Sequence, residues 1–179
     1  MAELIGCYVY IDGQYVRSEL RQADQSDEFD TRKPASLVQN QRIGGATLVV
    51  SRVFYYDAID EKAQEEEQEQ QKQYFARLRR LPDTHVVLGE VRRTRKREQK
   101  GVDVQMAVDA LRAATSGVIR AIALVTGDAD FAPLARAIRE AGPHVLVMAF
   151  ERSLSQSLAS EADRVNFYDF PPGDWRLTT

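Results

Sequence analysis

The chain has 179 residues, 44% of them hydrophobic and 28% charged, with a formal net charge of −3. That length and mix suit one soluble globular domain with a sizeable core. The near-balanced charge means that nothing global announces a polyanion partner, so any such argument rests on local patches.

Cys7 is the only cysteine, which excludes an internal disulfide; its apolar strand setting reads as a core thiol. The first residues show no basic region leading into an apolar core, so no signal peptide is expected. No apolar run approaches the roughly 18–20 residues needed to span a bilayer. The expected location is cytoplasmic, with no membrane partner.

Residues 6–11 read as a buried strand that runs into Asp12-Gly13. Residues 15–45 are polar and poorly periodic, with Pro34 and Gly44-Gly45 as breakers and a short helix opening near Val16. Thr47 to Tyr56 alternates and is rich in β-branched and aromatic residues, which predicts a second strand. Glu61 to Arg80 holds no Gly or Pro and many strong helix formers. Its Glu/Gln-rich first half reads as a solvated face, its Tyr74, Leu78 and Leu81 as a packed one, and Pro82 as its stop.

A Val-rich third strand is predicted over 84–91, followed by the basic residues Arg92, Arg93, Arg95, Lys96, Arg97 and Lys100. Val102 to Ala114 reads as a helix whose apolar stripe is Val104, Ala107, Val108 and Leu111. Ile119 to Val125 is a fourth strand, Asp130 to Glu140 a helix closed by Gly142-Pro143, and His144 to Phe150 a fifth strand. A short helix over 154–162 and a last strand over 165–170 complete the pattern, and a tail over 171–179 carries Trp175, which is expected to pack back on the domain, an exposed anchor for another subunit of a homo-oligomer being the alternative. Alternating strands and helices imply βαβ units with right-handed crossovers. The expected architecture is a single α/β domain over 1–170, with a mostly parallel central sheet and helices on both faces.

The chemistry concentrates where strands end. Ile119–Val125 stops at Thr126-Gly127-Asp128-Ala129-Asp130, two carboxylates two residues apart, and in an open parallel sheet ligands bind outside the carboxyl ends of the strands. Asp130 can cap the following helix, with Pro133 in its first turn. Asp12 ends its own strand with no evident capping duty. Asp103 opens a helix that must start near the same edge, where its ordinary role would be a favourable interaction with the helix dipole. Asp109, about 9 Å further along that helix and rotated away, reads as a supporting residue.

Close like charges repel and raise one another's pKa. A divalent cation, Mg²⁺ or Mn²⁺, is a reason for such acids to cluster, since hard cations take oxygen ligands and can activate water beside a phosphoryl group. The basic segment before Asp103 then suggests contacts to a phosphate backbone.

These residues carry a resemblance. Tyr10-Ile11-Asp12-Gly13, Lys100-Gly101-Val102-Asp103 and Val125-Thr126-Gly127-Asp128-Ala129-Asp130-Phe131 with Pro133-Leu134, in that order, resemble the NYN domains, in particular their LabA-like branch within the PIN-like nuclease superfamily. The resemblance implies a three-layer, Rossmann-like PIN-type fold and a Mg²⁺- or Mn²⁺-dependent ribonuclease. Asp12, Asp103, Asp128 and Asp130 would be its metal ligands and catalytic acids, with Thr126 close by. Lys100, Arg97, Lys96 and Arg95 would hold RNA, with DNA not excluded. Tyr15 departs from the family, whose members usually have Asn there, and so favours an alternative: a weakly active or inactive RNA-binding regulatory module. An Asp-nucleophile phosphatase fits poorly, because Gln14 stands where its second Asp would be. No Gly-x-Gly-x-x-Gly follows a strand, which argues against dinucleotide binding. His85 and His144 sit in apolar strand segments and read as core or edge residues.

Overall fold

The computed structural model describes residues 3–23, 28–59, 63–89 and 101–167. The chain begins with β1 (Leu4–Asp12), passes directly into α1 (Gly13–Gln22), and continues through α2 (Arg32–Val38), β2 (Arg42–Ile43) and β3 (Ala46–Ala58). Next come α3 (Glu65–Leu78), β4 (Thr84–Gly89), α4 (Val102–Thr115) and β5 (Ala121–Val125). A 3-10 turn (Ala129–Phe131) leads into α5 (Ala132–Glu140), β6 (His144–Ala149), a second 3-10 turn (Glu151–Ser153), α6 (Gln156–Glu161) and β7 (Arg164–Phe167).

The strands form one sheet in the order β2-β3-β1-β5-β6-β7, with β4 also paired to β3. Every pairing is parallel except the β2–β3 hairpin. That hairpin turns on Gly44 and Gly45, both at positive φ, as a tight two-residue connection requires. From β1 the chain first builds outward through β3 and β4, then returns across the sheet by α4 to β5 on the other side. The reversal lies between β1 and β5, so their carboxyl ends flank the crevice of a doubly wound sheet.

Helices cover both faces, as the all-buried run Ala121-Ile122-Ala123-Leu124-Val125 demands of a central parallel strand. One apolar layer joins Val16 and Leu20 of α1 with Phe75 and Leu78 of α3 beneath the sheet. There the Tyr74 hydroxyl accepts from Phe29 N at 3.0 Å and donates to Phe29 O at 2.9 Å. The other layer joins Met106 and Ala110 of α4 with Leu134 and Ile138 of α5 and Leu158 of α6. Cys7 lies fully buried in the first layer, and burial pushes its thiol up to about 12, which fits a core residue. Among the described residues no helix is long and apolar enough to cross a membrane.

Two expectations need correction. The helix expected near Val16 is present but starts at Gly13, directly after β1, and the rest of the 15–45 stretch holds α2 and β2. More instructive is α4, whose buried face is Val102, Met106, Ala110 and Ala114, while Val104 and Val108 remain 61% and 47% exposed and Leu111 also faces solvent. Both faces of this helix are apolar, so periodicity alone does not choose between them. The choice is made by Asp109: its carboxylate accepts from the Tyr56 hydroxyl at 3.0 Å, and its carbonyl from the Tyr10 hydroxyl at 3.4 Å. Turning Val104 and Val108 inward would pull Asp109 off both tyrosines. The basic segment over 92–100 and the 171–179 tail with Trp175 lie outside the described residues.

This orientation predicts that Val108→Lys shifts the unfolding free energy by less than about 0.5 kcal/mol, as surface changes do. Met106→Ala should cost about 2–5 kcal/mol. Chemical denaturation of both variants checks it; the reverse ranking would mean that the helix packs by its Val104–Val108 face.

Candidate active site

Asp12 ends β1 and also caps α1: its Oδ1 accepts from Tyr15 N at 3.0 Å. Its Oδ2 accepts from the Thr126 hydroxyl at 3.0 Å, across the gap between the β1 and β5 ends. The capping duty was not apparent from sequence, although Val16 and Leu20 at helical spacing after an Asp-Gly pair are a usable signal. Only 8% of Asp12 is exposed. Burial pushes its carboxyl up to about 7, with the charges of Asp103 and Asp57 adding to the rise while the Tyr15 and Thr126 hydrogen bonds oppose it.

Thr126 is fully buried and holds the other strand end. Its hydroxyl oxygen also accepts from Asp128 N at 3.3 Å. Asp128, rather than Asp130, caps the next element: its Oδ1 accepts from Asp130 N at 2.9 Å, opening the 3-10 turn that precedes α5. Pro133 falls in the first turn of α5, where a missing N–H is harmless. Asp128 and Asp130 both reach solvent.

Asp103 lies in the first turn of α4. Its carboxyl reaches solvent yet has a raised pKa, through partial burial first and then the charges of Asp128 and Asp130. Asp103 therefore lies in the electrostatic field of Asp128 and Asp130, and Asp12 in that of Asp103, so that Asp103 links Asp12 to the pair. Among the described residues, no three of His, Cys, Asp and Glu are grouped closely enough to hold one ion between them as the side chains stand. The donor chemistry nonetheless fits a hard divalent cation, being carboxylate oxygen joined by a threonine hydroxyl.

Asp109 is placed away from this group, bonded to Tyr56 and to Gln105 Nε2 at 2.9 Å. Tyr15 is half-buried, with its ring against Phe150 at 5.8 Å and its hydroxyl bonded to Phe150 N and Ser153 Oγ. Lys100, Arg97, Lys96 and Arg95 lie outside the described residues. His85 and His144 sit near the amino ends of β4 and β6, at the opposite edge of the sheet from the acids.

One acid escaped the sequence reading. Asp57 follows Phe54-Tyr55-Tyr56 at the carboxyl end of β3, the same apolar-run-to-acid signature as Asp12. It is almost completely buried and paired on both oxygens: Oδ2 accepts from Arg17 Nη1 at 2.9 Å and from the Tyr55 hydroxyl at 3.0 Å, and Oδ1 from Ala58 N at 2.7 Å.

The arrangement of acids around a switch point can be compared with known proteins. The NYN domain family model matches residues 7–169. The chain belongs to the NYN domain family. That family is nuclease-like, with a PIN-like α/β fold, and PIN-like nuclease domains typically use divalent metals. Over 64 residues the NYN chain is 45% identical to the uncharacterized protein MJ0482 of Methanocaldococcus jannaschii, a match that covers 36% of this chain and 27% of that protein. Its fold is similar to that of VPA0982, a protein of unknown function from Vibrio parahaemolyticus whose crystal structure superposes with a TM-score of 0.72 at 24% identity, covering 97% of this chain and 96% of that one.

The raised pKa of Asp12 has a stability consequence. Its folded value lies above the value of about 4 expected in the unfolded chain. Its contribution is therefore complete below pH 4, declines as pH rises toward 7 and is gone above it. Metal-free protein should lose stability over that interval, and Asp12→Asn should flatten this part of the profile. Denaturation midpoints at pH 4, 5, 6 and 7 test it; an unchanged slope in the variant would assign the effect to another group.

Proposed function

We propose that this NYN domain is a metal-dependent ribonuclease, hydrolysing RNA phosphodiester bonds at the carboxyl edge between β1 and β5. One observation carries the reading: acids from three separate elements share one field beside the switch point, and Asp12 and Asp103 are raised in pKa by burial and by their acidic neighbours. Asp12, Asp103, Asp128 and Asp130 would hold Mg²⁺ or Mn²⁺. When bound, such a cation supplies an activated water and charge stabilisation at phosphorus.

The protein's own contributions follow from its hydrogen bonds. Thr126 orients Asp12, and Asp128 orders the turn that carries Asp130. Arg95, Lys96, Arg97 and Lys100, directly before α4 in sequence, would hold the RNA backbone by charge, without reading its sequence. The LabA-like motifs support placement in that branch of the family.

A second reading, an RNA-binding module of the same fold without turnover, is favoured by Tyr15, which stands where the NYN domains this chain resembles usually have Asn.

Purified full-length protein should cleave single-stranded or structured RNA with Mn²⁺ or Mg²⁺, and Asp128→Asn should lower the rate by about 100-fold or more. A parallel single-stranded DNA arm measures the preference for RNA. Cleavage that survives EDTA or the Asp128→Asn substitution would overturn the proposal. RNA retention without turnover across substrates would establish the second reading.

A further inference from the structure

We infer that Tyr15 is a positioning residue that sets the separation of Asp12 and Asp128, an inference that rests on reading both acids as parts of the functional site. Tyr15 touches the two strand ends through its opposite extremities. Its backbone N–H donates to Asp12 Oδ1 at 3.0 Å. Its hydroxyl stands behind Gly127, the residue between Thr126 and Asp128.

Gly127 has no room for a side chain. A Cβ there would come within 2.4 Å of the Ser153 carbonyl oxygen and 2.8 Å of the Tyr15 hydroxyl. The Gly127 backbone thus rests directly on these two atoms, and Ser155 N–H donates to its carbonyl at 2.9 Å. Where Gly127 lies, and with it Asp128, is decided by the 150–155 turn and by whatever holds that turn.

The turn is tied to α1 at two points. At the first, the Tyr15 oxygen accepts from Phe150 N at 2.9 Å and shares a 2.8 Å hydrogen bond with Ser153 Oγ. With Phe150 N–H directed at the oxygen, the tyrosine proton is available for Ser153. At the second, Arg152 donates to Glu19 on the next turn of α1, from Nε to Oε2 at 2.8 Å and from Nη2 to the carbonyl at 3.0 Å. Glu19 is itself buried. A rigid path therefore runs from Asp12 through α1 and Tyr15 to the turn, Gly127 and Asp128. Removing the Tyr15 hydroxyl breaks the first of these two ties, the one in contact with Gly127, while both carboxylates remain in the chain.

The test is Tyr15→Phe in the full chain, which keeps the ring against Phe150. Tyr74→Phe is the control, a hydroxyl deletion in the same layer as α1 whose hydroxyl bonds to Phe29 rather than to the 150–155 turn. Amide hydrogen exchange of the metal-free protein should accelerate by about tenfold at Phe150, Asp128, Asp130 and Ser155 in Tyr15→Phe. Tyr74→Phe should leave those four amides at the wild-type rate and affect Phe29 instead. Calorimetric titration should show Mn²⁺ affinity reduced by about tenfold in Tyr15→Phe alone, the lower end of effects seen when a partner behind a metal ligand is removed. Wild-type exchange at the four amides in Tyr15→Phe, or equal acceleration in Tyr74→Phe, would overturn the inference. A wild-type protein that neither binds Mn²⁺ nor cleaves RNA would defeat the proposed function, and the exchange rates would still decide whether Tyr15 sets the loop.

Discussion

Burying a carboxylate at the end of a parallel strand requires that its charge be matched, and β1 and β3 end on two acids matched in different ways. Asp57 has a guanidinium on one oxygen, a tyrosine hydroxyl on the same oxygen and a backbone N–H on the other. Both its oxygens accept hydrogen bonds and its charge is balanced by Arg17. Asp12 has a backbone N–H and a threonine hydroxyl, and among the described residues no cationic side chain pairs with it. Hydrogen bonds stabilise the ionised form but do not cancel its desolvation, so the carboxyl rises to about 7. One acid is completed by the fold; the other is left needing a proton or a cation.

This difference organises the neighbourhood. Thr126 ties the end of β5 to that of β1 through Asp12, which fixes the width of the crevice at the point where the strand order reverses. Tyr15 then relays the position of Asp12 to the loop after β5, because α1 starts without any connecting residues. The immediacy of that start matters. A longer β1–α1 connection would place the third helical residue elsewhere, and neither the cap nor the Gly127 contact could form. Gly13 permits the tight entry: a Cβ there would fall 2.6 Å from the Tyr55 ring and 2.7 Å from Asp57 Oδ2.

Much of this was readable from the chain. The run from Ile119 to Asp130 announces a buried strand and an acidic edge, because no other arrangement suits so apolar a segment ending so abruptly. The parallel pairing and its crossover helices follow from strand-helix alternation, and the NYN motifs lie at three of the elements that meet at the edge. What escaped reading depended on contacts between residues distant in sequence. The rotation of α4 is decided by Tyr10 and Tyr56, which lie 99 and 53 residues from Asp109, and a helix apolar on both faces carries no internal record of that choice. Asp57 was missed for a simpler reason: the strand was closed at Tyr56, one residue before the acid. The Tyr15 relay joins residues 138 apart, and nothing local to Asp-Gly-Gln-Tyr betrays it.

The placement of the acids also bears on how a polyanion can approach. α1, α4 and the turn before α5 all begin at this edge, and helix N-termini present N–H groups and partial positive charge that ordinarily favour phosphate. Here acids stand at these helix starts: Asp12 and Asp128 as caps, Asp103 in the first turn of α4. Their carboxylates spend the local positive potential internally, and the exposed Asp130 adds a further negative charge. A bare phosphate would meet repulsion where a helix terminus alone would attract it. On the proposed function, positive charge must therefore be interposed before RNA can reach the strand ends, whether from a cation held by these oxygens or from the basic residues that precede Asp103. The two sources act differently: screened side-chain charges hold a backbone at a distance set by Arg and Lys length, whereas a cation among the carboxylates draws phosphate oxygen to the acids themselves. Only the second brings phosphorus next to Asp12, the one buried acid in the group, and so gives its incomplete neutralisation a use.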